Sequence, residues 1–254
     1  METAQKNGTG LSLVSPFTEV EPDPQSTIHP TAIVESGVSI GAGTSVWDNV
    51  HIRENATVGE DCIIGEKSYI AYDVTIGNCV KINSGVYIPT GVTIGDGVMV
   101  SAGVIFANDR YPRAATSDLK QLRPSEPDGE TLTTWVHGGA TIGAGAMLVG
   151  GIEIGAFAMV GMGSVVTKPV PAFHMVAGNP ARSIGTVCRC GRPTTRLTGA
   201  LPSGPNEVVQ CQGCGMRYQV RGNQVIEFNP PIAVVPRAPA PAPASENNVP
   251  PAAD

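Results

Sequence analysis

Counting in sixes from Ile28, large apolar residues recur without a miss. They are Ile28, Val34, Ile40, Val46, Ile52, Val58, Ile64, Ile70, Ile76, Ile82, Ile88, Ile94, Val100 and Phe106. A second run keeps the same period through Val136, Ile142, Leu148, Ile154, Val160 and Val166. A six-residue period does not fit a helix of 3.6 residues per turn. Four places after each large residue comes a small or β-branched one, as at Ala32, Val38, Thr44, Val50, Ala56, Cys62 and Ser68. Each small side chain therefore stands two residues before the next large one, which is the same-face spacing of a strand. Gly follows the large residue at Gly41, Gly59, Gly65, Gly77, Gly95, Gly143, Gly155 and Gly161. Gly suits a place where the chain turns sharply or another backbone comes close. Short strands joined by tight bends at a fixed period predict an all-β solenoid, each coil burying its apolar residues on the coils above and below. Twenty hexads over residues 28–185 set the scale of that domain.

The breaks in the pattern define the remaining segments. Residues 1–27 are polar and carry Pro16, Pro22 and Pro24, which predicts a disordered arm. Between the two runs lies a loop, 107–134, that begins Ala107-Asn108-Asp109-Arg110-Tyr111-Pro112-Arg113. A loop of this length inside a solenoid is a candidate functional element, although loops also accept length freely. Residues 186–228 read as a separate small module. From 229 to 254 the chain holds eight prolines in 26 residues, and this composition predicts a disordered Pro/Ala-rich tail.

Charge and cysteine chemistry narrow the picture. The net charge of −6 argues against a nucleic-acid partner, because phosphate neutralisation needs a basic face. The stretch from Ala146 to Val166 holds one charge, Glu153, and mimics a membrane span. It also holds five glycines and stays in phase with the repeat, so no membrane is expected. The polar N-terminus lacks an apolar signal core, which places the protein in the cytoplasm, where thiols stay reduced. The pairs Cys188-Arg189-Cys190-Gly191 and Cys211-Gln212-Gly213-Cys214-Gly215 then read as a zinc-ribbon-like module. Four thiolates on two tight turns suit a closed tetrahedral Zn²⁺ site of structural type. Cys62 falls on an interior repeat position and reads as packing. The histidines are His29, His51, His137 and His174, with no closely spaced pair for a three-histidine catalytic metal. His51 precedes an inward residue and is read as facing solvent. His137 lies where the loop rejoins the coils.

Four segments carry a resemblance. They are Lys81-Ile82-Asn83-Ser84-Gly85-Val86-Tyr87, Asn108 to Arg113, His51-Ile52-Arg53-Glu54-Asn55-Ala56 and Gly138-Gly139-Ala140-Thr141-Ile142-Gly143-Ala144. Together they resemble the hexapeptide-repeat acyltransferases. The nearest branch acetylates the 3-amino group of a UDP-2-acetamido-3-amino-2,3-dideoxy-glucuronate. The likeness spans roughly residues 28–185. It implies a left-handed parallel β-helix of about 6–7 triangular coils, acetyl-CoA as acyl donor, and a nucleotide-sugar acceptor. It also implies a homotrimer with sites between subunits. Handedness comes from this likeness alone, since ordinary crossovers are right-handed. The branch usually reads Ile-Gln-Asn where this chain has Ile82-Asn83-Ser84, so the family Asn that holds the amine falls on Ser84, with Asn83 beside it.

The site implied by the resemblance is therefore Asn83, Ser84 and Asp109 as catalytic residues. Asn108, Arg110, Arg113 and His137 would bind the sugar nucleotide, and Gly143, Gly161, Lys168 and Arg182 the donor. A corner Asn also suits a positive φ, which gives Asn83 a purely structural alternative. A sugar O-acetyltransferase is the nearest rival. Members of that type carry a loop histidine as general base, where this loop has Arg110-Tyr111-Pro112. An alcohol must lose a proton as it attacks, whereas a neutral amine has a free lone pair. A non-catalytic trimeric scaffold is the alternative of another class.

Overall fold

The computed structural model describes residues 25–196, 207–221 and 224–228. The N-terminal arm up to residue 24 and the Pro-rich tail from 229 lie outside the described residues. Twenty strands of two or three residues, β1 (Thr27–Ile28) to β20 (Val165–Val166), follow one another at the hexad period. They stack into three parallel sheets, one for each side of a triangle. Register partners are 18 residues apart: Thr27 pairs with Ser45, Ile33 with His51 and Ser39 with Thr57. Three hexads thus make one coil. Seven coils stack, the last side of the seventh being Val170, which bridges Ile154. No helix occurs among the described residues, and none is long and apolar enough to cross a membrane.

Each hexad position has a distinct physical task. The large residue points inward and stacks on its copies in neighbouring coils: Ile52, Ile70, Ile88 and Phe106 form one such buried column. The small residue four places on is buried too, and the polar ones are satisfied. Thr44 Oγ1 donates to the Gly59 carbonyl at 2.7 Å and accepts the Cys62 amide at 2.9 Å. Cys62 is buried in the same column, its thiol 3.1 Å from the Gly77 carbonyl, and burial pushes that thiol up. The glycine after the large residue answers a close approach. A Cβ on Gly65 would lie 2.6 Å from the Asn83 carbonyl carbon of the next coil. The sharp turn itself falls two residues later, at a positive φ repeated every six residues, as at Gly43 (72°), Asn49 (55°), Asn55 (60°) and Asp61 (53°). Asn83 is not one of these positions; the positive φ of its corner belongs to Gly85 (65°).

The long loop does not disturb the stack. Val92 pairs with Thr134, an offset of 42 residues where other coils have 18, so the loop adds 24. The irregular stretch ends at residue 133, because Thr134–Val136 is already a strand.

At the C-terminal end the first sheet continues differently. β21 (His174–Gly178) lies parallel on β19 (Met159–Val160). β22 (Ala181–Val187) and β23 (Pro193–Arg196) then add antiparallel. β22 crosses residue 185 without interruption and runs straight into Cys188. A separate antiparallel sheet of β24 (Glu207–Gln210), β25 (Arg217–Arg221) and β26 (Gln224–Phe228) follows.

Candidate functional site

The loop leaves the coils after Phe106, at the corner between the second and third sheets. It is built as a hairpin. Asp109 bridges Thr131 at its neck, and Ala115 bridges Leu122 further out. Asn108 anchors it, its side-chain amide donating to the Thr90 carbonyl at 3.0 Å, while its own carbonyl accepts the Leu132 amide at 2.7 Å. The hairpin folds back over the coils that precede it and encloses a cleft of about 480 Å³.

One wall of the cleft is aromatic: Tyr69, Tyr72 and Tyr87. Tyr69 and Tyr87 stack with ring centroids 5.3 Å apart and planes 9° apart, because residues 18 apart occupy one column. The loop wall brings Asp109, Arg110, Arg113 and Arg123, with Glu126, Asp128 and Glu130 nearby. Behind the aromatic wall a polar group fixes the rings. Arg53 donates to the Tyr69 hydroxyl at 3.0 Å and pairs with Glu35 at 2.7 Å. His51 Nε2 lies 2.7 Å from the same carboxylate. Burial alone would raise the Glu35 carboxyl, but hydrogen bonds from Arg53, His51 and the Glu54 amide outweigh it and hold it below the usual carboxylate range. Burial, with Tyr69 and Asp109 adding to it, pushes the Tyr87 phenol up, so that the hydroxyl stays a neutral donor. Stacking faces beside guanidinium groups suit an aromatic base linked to phosphate, and the carboxylates suit hydroxyl or ammonium groups.

The structure gathers some of the sequence-derived residues and separates others. Asn108, Asp109, Arg110 and Arg113 share the loop cleft. Asn83 and Ser84 sit at the corner between the first and second sheets, in the column that continues through Ser101, Gly143 and Gly161. Within one chain a strand of the second sheet separates them from Asp109. His137 stands at the third corner, stacked on Trp135 at 5.4 Å and 3.1 Å from Glu153 Oε2. Gly143 is filled by coil packing: a Cβ there would lie 2.5 Å from the Met162 nitrogen. His51, expected to face solvent, does point outward but is half-buried against Glu35 and Tyr69.

A second cleft of about 240 Å³ lies at the far end of the coils. Lys168 and Arg182 line it with the Pro169–Pro171 turn, buried His174, and Ser183, whose hydroxyl is 3.2 Å from His174 Nδ1. Gly143 and Gly161 are not part of its lining.

Sequence reading missed Tyr69, Tyr72, Tyr87 and Arg123. A usable signal existed for two of them: Tyr69 and Tyr87 both precede inward isoleucines and are one coil apart, so they had to stack outward.

The four C-terminal cysteines converge, with sulfur atoms all within 4.8 Å of one another. Cys188 and Cys214 are 3.4 Å apart, Cys190 and Cys211 3.6 Å. Burial pushes the Cys188 thiol up to about 12. Burial acts the same way on Cys211, but the Cys214 and Gly213 amides and the neighbouring thiols outweigh it and bring that thiol down to about 6. Such a set of thiols can hold a metal ion.

Residues 37–72 and 73–108 match the bacterial transferase hexapeptide family (six repeats), and residues 139–168 match the hexapeptide repeat of succinyl-transferase. These matches fall on the coils of the β-helix. The chain is 46% identical over 86 residues to dTDP-3-amino-3,6-dideoxy-α-D-galactopyranose 3-N-acetyltransferase of Aneurinibacillus thermoaerophilus, a match covering 34% of this chain and 40% of that protein. It is 57% identical over 49 residues to serine acetyltransferase 4 of Arabidopsis thaliana, covering 19% of this chain and 14% of that one. The chain therefore matches two fifths or less of the length of these curated relatives. Among solved structures, AntD, an N-acyltransferase from Bacillus cereus in complex with dTDP and 3-hydroxybutyryl-CoA, superposes with a TM-score of 0.42 at 19% identity, over 66% of this chain and 82% of that one.

Proposed function

We propose that the chain is an acetyl-CoA-dependent N-acetyltransferase that acylates the amino group of a nucleotide-linked amino sugar, a precursor of a surface polysaccharide. What carries the reading is the loop cleft, where stacked tyrosines face three arginines on the flank of a hexapeptide-repeat domain. The 46% identity with an enzyme named for a dTDP-amino sugar supports the same acceptor class. The sugar nucleotide takes this cleft, with Asn108, Arg110 and Arg113 among its contacts. The donor lies toward the second cleft, where Lys168 and Arg182 meet its phosphates. In this reading the enzyme is cytoplasmic, and four cysteines hold a structural zinc ion. It works as a homotrimer: Ile105 and Met147, neighbours on the second face, and Ile33 at its start expose apolar side chains for a neighbouring copy. Packing between copies brings the Asn83–Ser84 corner of one protomer, and His137, within reach of a site they do not share with Asp109 in one chain.

The amine attacks the thioester carbonyl in its neutral form. The C–N bond forms, the C–S bond breaks, and the departing CoA thiolate takes the proton from the ammonium group. Asn83, Ser84 or Asp109 orients the amine, and a backbone N–H stabilises the oxyanion. Holding the reacting atoms about 3–3.5 Å apart supplies several kcal/mol. A second reading, acetylation of a hydroxyl group, draws on the 49-residue match to a serine acetyltransferase.

The test is a thermal-shift screen with coenzyme A and with dTDP- and UDP-linked sugars, followed by release of free CoA thiol from acetyl-CoA. Stabilisation by coenzyme A and turnover only with amino sugars is the expected result. No stabilisation by coenzyme A and no turnover would leave a scaffold. Turnover on sugars without an amine would establish the hydroxyl reading.

A further inference from the structure

Building on the zinc reading above, we propose that the ion held by Cys188, Cys190, Cys211 and Cys214 is a clamp that keeps the three-stranded C-terminal sheet seated on the end of the β-helix. Around a tetrahedral zinc with Zn–S bonds near 2.3 Å, neighbouring sulfurs lie about 3.8 Å apart. Here two pairs lie at 3.4 and 3.6 Å and all four fall within 4.8 Å. A disulfide would need about 2.05 Å. Each pair sits on its own tight turn. The Gly191 amide donates to the Cys188 carbonyl at 2.8 Å, and the Gly215 amide to the Cys211 carbonyl at 2.9 Å. Both glycines have positive φ, 82° and 77°. These turns aim four sulfurs at one point.

The two turns belong to different sheets. Cys188 and Cys190 follow β22, which is hydrogen-bonded to the solenoid through β21. Cys211 and Cys214 lie between β24 and β25 of the three-stranded sheet. An ion on all four therefore ties one sheet to the other. Side-chain contacts also cross the joint. Phe173, stacked on its solenoid neighbour Phe157 at 5.4 Å, meets Tyr218 of β25 at 5.5 Å. Arg189, which follows β22 and lies 4.2 Å over the Phe157 ring on the solenoid side, reaches across to pair with Glu227 of β26 at 2.5 Å. Among the described residues the buried apolar cluster at this joint is Phe173, Cys188, Cys211 and Tyr218, and two of these four are the thiols proposed to hold the ion. A module this small needs a metal or a disulfide to hold its shape.

Tyr218 is the positioning residue of the clamp. Its buried hydroxyl donates to Cys188 Sγ at 3.0 Å and accepts the Arg189 amide at 3.1 Å. Such outer contacts orient a ligand and typically change metal affinity by about 10–100-fold. Cys190 and Cys214 are exposed, so one side of the site opens to solvent.

The experiment uses the full chain, purified without chelators, with metal analysis and hydrogen exchange read by mass spectrometry. The expected result is about one zinc per chain. Stripping it with a chelator, or substituting the exposed ligand (Cys190→Ser), should speed exchange in residues 207–210 and 217–221 by at least about a hundredfold, with coil residues such as 63–64 and 81–82 unchanged. Tyr218→Phe should keep the fold and bind zinc about tenfold more weakly. Protein that holds no zinc and takes up none on titration overturns the zinc reading. Zinc that is present but can be removed without changing exchange in the C-terminal sheet overturns the clamp. Chelation of the wild-type chain decides this even if the cysteine variant fails to fold.

Discussion

Gly143 and Gly145 lie two residues apart at one corner, yet replacing each with alanine should fail for different reasons and by different amounts. A Cβ on Gly143 would stand 2.5 Å from the Met162 nitrogen, 2.7 Å from the Val160 oxygen and 2.8 Å from the Gly161 carbonyl carbon. Against an ordinary contact of 3.4 Å the shortfalls are 0.9, 0.7 and 0.6 Å. All three atoms are backbone of the next coil, so the coils must part. Overpacking of this kind costs about 1–3 kcal/mol. Stretching the 2.8 Å hydrogen bond from the Gly143 amide to the Val160 carbonyl adds about 1 kcal/mol. Stiffening the unfolded chain returns about 0.4–1 kcal/mol. Gly143→Ala should therefore destabilise by about 1–3.6 kcal/mol, or roughly 3–11 °C in Tm for a domain of this size. Gly145 has φ of 67° and open space around it. Its alanine meets only the left-handed backbone penalty, about 1–2 kcal/mol less the same unfolded-state gain, for a loss of roughly 2–4 °C. Thermal melts of both variants, with KM for acetyl-CoA measured well below each Tm, decide the matter. If Gly143→Ala melts like wild type while its KM rises, the glycine is small for a bound cofactor and the packing argument is wrong. If Gly145→Ala is the more damaging, the division of labour between the two glycines fails.

Ile82→Ala, in a fully buried column between Ile64 and Val100, should cost about 2–5 kcal/mol in thermal or denaturant melts, and a loss below 1 kcal/mol would contradict close stacking of the coils. Tyr87→Ala should weaken sugar-nucleotide binding by about 5–160-fold in calorimetry, corresponding to the roughly 1–3 kcal/mol of a base–aromatic stack, with coenzyme A binding unchanged. Lys168→Ala should raise KM for acetyl-CoA more than it lowers kcat, and an unchanged KM would remove Lys168 from the donor site. Glu35→Gln should cost about 0.5–1 kcal/mol at neutral pH. Because the folded carboxyl is held below its ordinary value, that cost should be complete above about pH 4.3 and fade as the pH falls further through the folded value; a cost that persists at pH 2 would mean the charge is irrelevant.

The coils were legible because the hexad constrains every sixth residue to one task, so Ile28 to Phe106 reads as a single sentence. The division of the glycines was not. Gly41 and Gly43 look alike in sequence, but one meets a neighbouring backbone and the other carries the positive φ. The turn position stayed hidden because Asn49, Asp61, Lys67 and Phe157 fill it as well as glycine does. At the candidate site, Asp109 and Arg110 were legible as loop chemistry. Tyr72 and Arg123 were not, since their meeting depends on the direction in which the hairpin folds. Asn83 and Asp109 fall at different corners for a reason written in the period: their separation is not a multiple of 18. The cysteine quartet was legible from spacing alone, because the two turns that present the sulfurs are local.

Val92 finds Thr134 as if the 24 extra residues between them did not exist. Each coil is held in register by hydrogen bonds to the coil before it, so the corner at residue 107 works as a socket. Chain can be spliced into it, lengthened or exchanged, and the spacing of the stack absorbs nothing. The walls of the loop cleft thus come from two sources, the coils and the hairpin. The tyrosine wall belongs to the repeat and is tied to its geometry, while the arginine wall belongs to the hairpin. Exchanging that one hairpin would rebuild one wall of the cleft and leave the coils and their core unaltered.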